Sequence, residues 1–290
     1  MPKIIIRLLS AFIPVRSWRK SFRKKLNRRN LFGDLQSAFT EIKTKRDTCL
    51  AHKDSCKTIA LGSSHCAYGI NPKFISEDCF NLGSNSQDLY TAEHLLKYMQ
   101  KQLPHLKKVI LFLDVFTRGL CLERTTAEHI CASYQYLYNI HYPLFADKKH
   151  HLINCAKLDK RQLNVIENQN GYLMPPKVSC TYSVEERVQG CLREHNREIS
   201  QYNHLTNMIQ LLADNKIEMI ILIPPVRQDY QALLPHNLLL SDAQQLTKGT
   251  NVQVLDFSYD KDFINDDFYD YDHLNPTGAE KLSIKIKGLL

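Results

Sequence analysis

The sequence lacks a long hydrophobic run. No segment approaches the ~20 apolar residues of a membrane-spanning helix, so no span is expected. It also lacks a C-x-x-C pair. Its nine cysteines are scattered singly (Cys49, Cys56, Cys66, Cys79, Cys121, Cys131, Cys155, Cys180, Cys191), an odd number in a chain long enough to need no disulfide framework. That usage reads as free thiols in a reducing cytosol. The apolar stretch Ile4–Val15 is interrupted by Arg7, and most of the ten positive charges in residues 3–29 follow it. A secretory signal has the reverse order, so a cleaved signal is not expected. Glycine is sparse, with 10 residues in 290, and there is no internal repeat or low-complexity tract.

What is present is a sizeable core and an uneven charge. Apolar residues make up 43% of the chain, enough for one large domain or two small ones. Residues 1–46 hold thirteen Lys and Arg against two acids, a charge of +11, so the remaining 244 residues carry −3 of the total +8. The chain reads as a basic arm over residues 1–50 joined to a mildly acidic body over 51–290. A helix over residues 1–30 would be basic and amphipathic, of the kind that lies on anionic membrane surfaces. The alternative is a packed or solvated arm. Nucleic acid is not an expected partner, since no nucleic-acid module follows. The localisation expected is cytoplasmic, with the arm placing the protein peripherally at the inner membrane.

From Lys57 the pattern changes to short apolar runs: 57–61, 79–82, 109–113, 217–223 and 252–256. Helical segments separate them. Residues 183–214 read as one long helix opened by a Ser183–Glu186 capping box, and a last helix starts near Thr277. Between about 117 and 182 no strand is evident, so a large helical insertion follows the third run. Buried strands alternating with helices predict an α/β fold with an open, five-stranded, mainly parallel sheet. Ligands gather beyond the C-terminal ends of such strands, where Ser64, Ser84–Gln87, Asp114 and Asp270–His273 fall.

Those loops hold a candidate catalytic set. A serine hydroxyl needs a base within hydrogen-bond reach, and the base needs an orienting group. Ser64 at a strand-to-helix turn, His273 as base and Asp270 three residues before it supply all three. Backbone N–H groups at Ser64 and around Gly83–Ser86, with the Asn85 side chain, are candidate oxyanion donors. Other readings stay open at this level. Ser64 as a turn residue, His273 as a helix cap, and Asp270 with Asp272 as a metal or sugar-nucleotide site are the main ones. Asp272 is expected to face solvent, His65 to be a first-turn helix residue, and Cys66 to be packed.

Gly62-Ser63-Ser64, Asn81-Leu82-Gly83-Ser84-Asn85-Ser86 and Asp270-x-x-His273, taken in this order, resemble the blocks of the SGNH (GDSL-type) hydrolase and acyltransferase superfamily. The likeness spans residues 57–290 and rests on three short blocks. It implies a flavodoxin-like three-layer sandwich and an esterase, deacetylase or O-acetyltransferase acting on bacterial surface polysaccharide through an acyl-Ser64 intermediate. It implies Ser64, His273 and Asp270 as catalytic residues and Gly83, Asn85 and Ser86 around the oxyanion. No metal or cofactor is implied, apart from acetyl-CoA or another acyl donor for a transferase. Two positions depart from the pattern. Ser63 stands where an acid usually precedes the nucleophile, as in a Gly-Ser-Ser variant of cell-envelope members. The block-three Asn is absent, and strand three ends at Leu113-Asp114. That absence keeps open a weakly active or inactive glycan- or partner-binding module. A metal-dependent glycosyltransferase is the third reading.

Overall fold

The computed structural model describes residues 16–145, 148–161, 169–174 and 181–290, with the backbone alone for 16–32 and 148. Five strands form one sheet: β1 (Thr58–Leu61), β2 (Cys79–Asn81), β3 (Lys108–Phe112), β4 (Glu218–Ile223) and β5 (Gln253–Asp256). All neighbours pair in parallel, in the order β2-β1-β3-β4-β5. This is the flavodoxin-like order, with its topological switch between β1 and β3. The strands are apolar throughout because helices cover both faces. Side chains alternate between two cores, as a period of two requires. Ile59, Leu61, Val109, Leu111, Met219 and Ile221 point into the larger one. Ala60, Ile110, Phe112, Ile220 and Leu222 point into the smaller.

The smaller core is closed by α2 (Ser64–Gly69) and by α10 (Pro276–Lys287), through residues such as Ile70, Leu282 and Ile286. The larger is closed by α1 (Arg16–Ala51), α3 (Leu89–Gln100), α4 (Glu128–Tyr138), α5 (Lys148–Asp159), α6 (Val184–His195), α7 (Tyr202–Asp214) and α9 (Leu238–Leu246). A short helix α8 (Gln228–Gln231) follows β4. The helices α4 and α5 belong to the expected insertion. Beyond them, Asn170 accepts a hydrogen bond from the Asn81 N–H at 2.8 Å, so the 169–172 turn covers the free edge of β2.

Two expectations need correcting. The first concerns the arm. Helix α1 does not end at the body; its C-terminal half is part of it. Leu35, Phe39, Ile42 and Cys49 are buried in the larger core. Lys45 is also buried, and its ammonium donates to the Gly83 carbonyl. A charge count over residues 1–46 could not reveal this, because the apolar residues at 35, 39 and 42 lie within the same basic segment. The expected membrane-facing segment, residues 1–30, lies outside the residues whose side chains are described.

The second is the helix over 183–214, which is two helices. The capping box at Ser183 and Glu186 is present, but α6 stops at His195. The loop after β3 claims its end. Arg118 donates to the carbonyls of His195 and Arg197, and His195 Nδ1 lies 2.9 Å from the Val115 carbonyl oxygen. Spacings near 3.6 continue across the break, so periodicity alone did not show it.

At the head of the site the backbone depends on Gly62. It has φ +140°, and a Cβ there would lie 2.8 Å from the Phe112 Cβ. Gly62→Ala is therefore expected to destabilise the fold by about 1–3 kcal/mol, read as a lowered midpoint in chemical denaturation. An unchanged midpoint would contradict this packing.

Candidate active site

Ser64 is the first residue of α2, and Ser63 is its N-cap. The Ser63 hydroxyl accepts from the His65 N–H at 3.2 Å and donates to Asp114 at the end of β3. The turn therefore presents Ser64 at the C-terminal edge of the sheet. His273 reaches the same point from the turn before α10. That turn is tied by the Tyr269 N–H to the His273 carbonyl at 2.9 Å and by a bridge between Phe268 and Leu274.

The three expected residues are brought together. Ser64 Oγ lies 2.8 Å from His273 Nε2. His273 Nδ1 lies 2.9 Å and 3.0 Å from the two oxygens of Asp270. Asp270 also accepts from the His273 backbone N–H at 2.8 Å and the Asp272 N–H at 3.1 Å. A carboxylate cannot donate, so the proton on the ring sits on Nδ1 and Nε2 is left to accept from Ser64. Burial acts to raise the Asp270 pKa, but the bonds to His273 outweigh it and hold it below the usual carboxylate range.

The oxyanion candidates divide. Gly83 is not a free donor, because its N–H is spent on the Asn81 side chain at 3.0 Å. The Ser84 N–H is likewise spent on the Gly62 carbonyl at 3.1 Å. Asn85 turns away: its side-chain oxygen accepts from Tyr68, and it lines a separate cavity of about 220 Å³ against α1. Ser86 adopts a left-handed φ of 58° and, with Ser64 and His273, lines a cavity of about 280 Å³. Among the described residues no hydrogen bond engages the Ser64 or Ser86 N–H. Both residues line the cavity beside His273, which makes these two N–H groups candidate donors. The insertion braces their loop from behind. Tyr134 on α4 holds the Ser84 hydroxyl and the Gln87 amide, and Gln87 accepts from the Gly62 N–H at 2.8 Å.

Asp272 is the clearest reversal. It is 2% exposed rather than solvent-facing. Arg187 on α6 grips it through Nε at 2.9 Å and a terminal nitrogen at 2.7 Å. His65 lies on its other side, with Nε2 3.3 Å away. Burial would raise the Asp272 pKa, yet His65, His273 and Arg187 together depress it strongly. His65 itself is buried and stacks on His273, with ring centroids 4.4 Å apart and planes 8° apart. Asp114 does not stand in for the missing Asn at the oxyanion; it faces Ser63 and His65.

No protein-family model matches the chain, and no curated protein matches it. Among solved structures, one described as "a putative platelet activating factor from Streptococcus pneumonia" is similar, with a TM-score of 0.45 and 14% identity. The likeness covers 93% of this chain and 98% of that one.

The donor set allows a test of the metal reading. Atoms of His65, Asp272 and His273 lie within 4.8 Å of one another. Arg187 already occupies Asp272 with a guanidinium, and His273 has Asp270 at one nitrogen and Ser64 at the other. A cation would have to displace a positive charge from its own ligand, so the residues suit a charge-paired network better than a metal. Sequence reasoning missed Arg187 altogether. It is one charge among many on an amphipathic helix, and only the fold brings it to Asp272.

Proposed function

We propose that the chain is a serine-dependent acyl-transfer enzyme of the SGNH type. The observation behind this reading is the unbroken path from Ser64 Oγ through His273 to Asp270, at 2.8 and 2.9 Å. In the first half-reaction Ser64 attacks the acyl carbonyl while His273 Nε2 takes the hydroxyl proton. The carbon–oxygen bond to the leaving alcohol breaks, and His273 returns the proton to that oxygen. In the second half, water or a sugar hydroxyl gives its proton to His273 and attacks acyl-Ser64; the bond from the acyl carbon to Ser64 Oγ breaks, and His273 returns the proton to that oxygen. The Ser64 and Ser86 N–H groups face the oxyanion. Asp270 keeps the ring in the accepting tautomer and stabilises the imidazolium.

The acyl group proposed is acetyl and the substrate a carbohydrate, in bacterial surface polysaccharide biosynthesis. The support is the resemblance of the three blocks and the basic N-terminal segment, which suits work at the inner membrane face. Among the described residues no helix is long and apolar enough to cross a membrane. A transferase would draw on acetyl-CoA or another acyl donor. The replacement of the block-three Asn favours a second reading, a weakly active glycan- or partner-binding module.

A fluorophosphonate probe separates the two. It should modify the wild-type protein, and peptide mass spectrometry should place the adduct on Ser64. No adduct, or one elsewhere, would overturn the enzyme reading.

A further inference from the structure

The site contains a second histidine that the serine reaction does not itself require. His65 follows the nucleophile in the first turn of α2. Both of its ring nitrogens face carboxylates: Nδ1 is 3.3 Å from an Asp114 oxygen, and Nε2 is 3.3 Å from an Asp272 oxygen. A neutral imidazole carries one N–H and one lone pair. In that form one nitrogen would aim its lone pair at a buried carboxylate. Only the imidazolium presents a donor on each side. The local charge then closes, with Asp114 and Asp272 against Arg187 and His65. Burial opposes charge on His65, but the two carboxylates outweigh burial and raise its pKa to about 10.

We propose that His65 is a positioning residue of the serine site, an imidazolium fixed against the face of His273 that sets the ring plane of the base and the field in which it takes the Ser64 proton. This rests on the acyl-transfer reading. Asp270 and Ser64 hold the two nitrogens of the His273 ring, but a ring held along that one axis can still tilt about it. Stacking at 4.4 Å and 8° removes that freedom. The same fixed charge repels positive charge on the ring that it stacks against. When the serine proton arrives, Asp270 and the Asp272 oxygen 3.4 Å from Nδ1 offset the opposition. Asp272 thus serves both rings, and Arg187 links it to the substrate cavity that Arg187 also lines. The other titratable groups facing this assembly are Tyr68 on α2, Cys191 and Glu194 on α6, and Tyr230 on α8.

The test measures the rate of fluorophosphonate labelling between about pH 5 and 9 for wild type and His65→Gln. The folded variant is expected to label about 10-fold slower or more near the acid end. Its acid limb should move up by about one pH unit, because the opposing charge is gone. Wild-type rates, or an equal slowing at every pH with the limb unmoved, would overturn the proposal. The second measurement needs no variant: ¹⁵N shifts of the wild-type His65 ring at about pH 8 should show both nitrogens protonated, well above the ordinary histidine range. A neutral ring would also overturn it. A wild type that never labels removes the serine reading and this role with it. A labelled wild type with an unmoved limb, or with a neutral His65, removes this role alone.

Discussion

His273→Ala is expected to slow turnover of a small activated acetyl ester by about 10⁴–10⁶-fold, and Ser64→Ala by a similar factor. The two act as one unit, because among the described residues the 2.8 Å contact with His273 is the only side-chain hydrogen bond of the Ser64 hydroxyl. The double variant should therefore be no slower than the worse single one. Asp270→Asn tests the orienting link separately. An amide that turns its NH₂ toward Nδ1 would hold the proton on Nε2, the wrong tautomer for accepting from Ser64, at a cost of about 10⁴. Because Asp270 also accepts from the backbone N–H groups of Asp272 and His273, Asn can keep two of these bonds and preserve the turn. Circular dichroism should show each variant folded. A folded His273→Ala protein retaining more than about a tenth of the rate would sink this arrangement.

The frame, and half of the residues that meet at the candidate site, were legible in the sequence. Each apolar run became a strand within about one residue of its expected bounds, because a strand buried on both faces must be apolar throughout. Ser64 and the Asp270-x-x-His273 pair were legible as candidates because each lies within a few residues of a sharp turn signal, Gly62-Ser63 or Asn275-Pro276. The remaining residues depend on contacts distant in sequence. Asp272 looked like one acid in an acidic stretch. Its burial comes from Arg187, 85 residues earlier. His65 looked like an ordinary first-turn helix residue, which it is, and nothing nearby in sequence showed that the chain after β3 places Asp114 beside it. Gly83 looked like an oxyanion donor because of its block, whereas Asn81 two residues earlier takes its N–H. Such pairings are set by where loops meet above the sheet, and neither composition nor periodicity records that.

The charged layer beneath the His273 ring should also give the stability of the fold a distinctive pH dependence. Folding raises the His65 pKa from 6.5 to about 10. The stability this supplies is fully present below the unfolded value and is lost as pH climbs through the folded one. Asp272 works in the other direction. Its folded pKa is depressed, so its share is present above the unfolded carboxylate value of about 4 and is lost only in strong acid. The two describe largely the same interaction and are counted once. The layer is at full strength between about pH 4 and 6.5, and it weakens on the alkaline side by an amount on the order of 5 kcal/mol. Other groups, including the thiols that unfolding exposes, also titrate near that limit. The informative quantity is therefore the stability gap between wild type and His65→Gln, in which shared groups cancel. That gap should be widest near pH 6 and should shrink as pH rises toward about 10, by several degrees in thermal midpoint. A gap that stays constant across this range would mean that His65 is neutral in the folded protein, leaving Arg187 as the principal counter-charge to the two buried carboxylates.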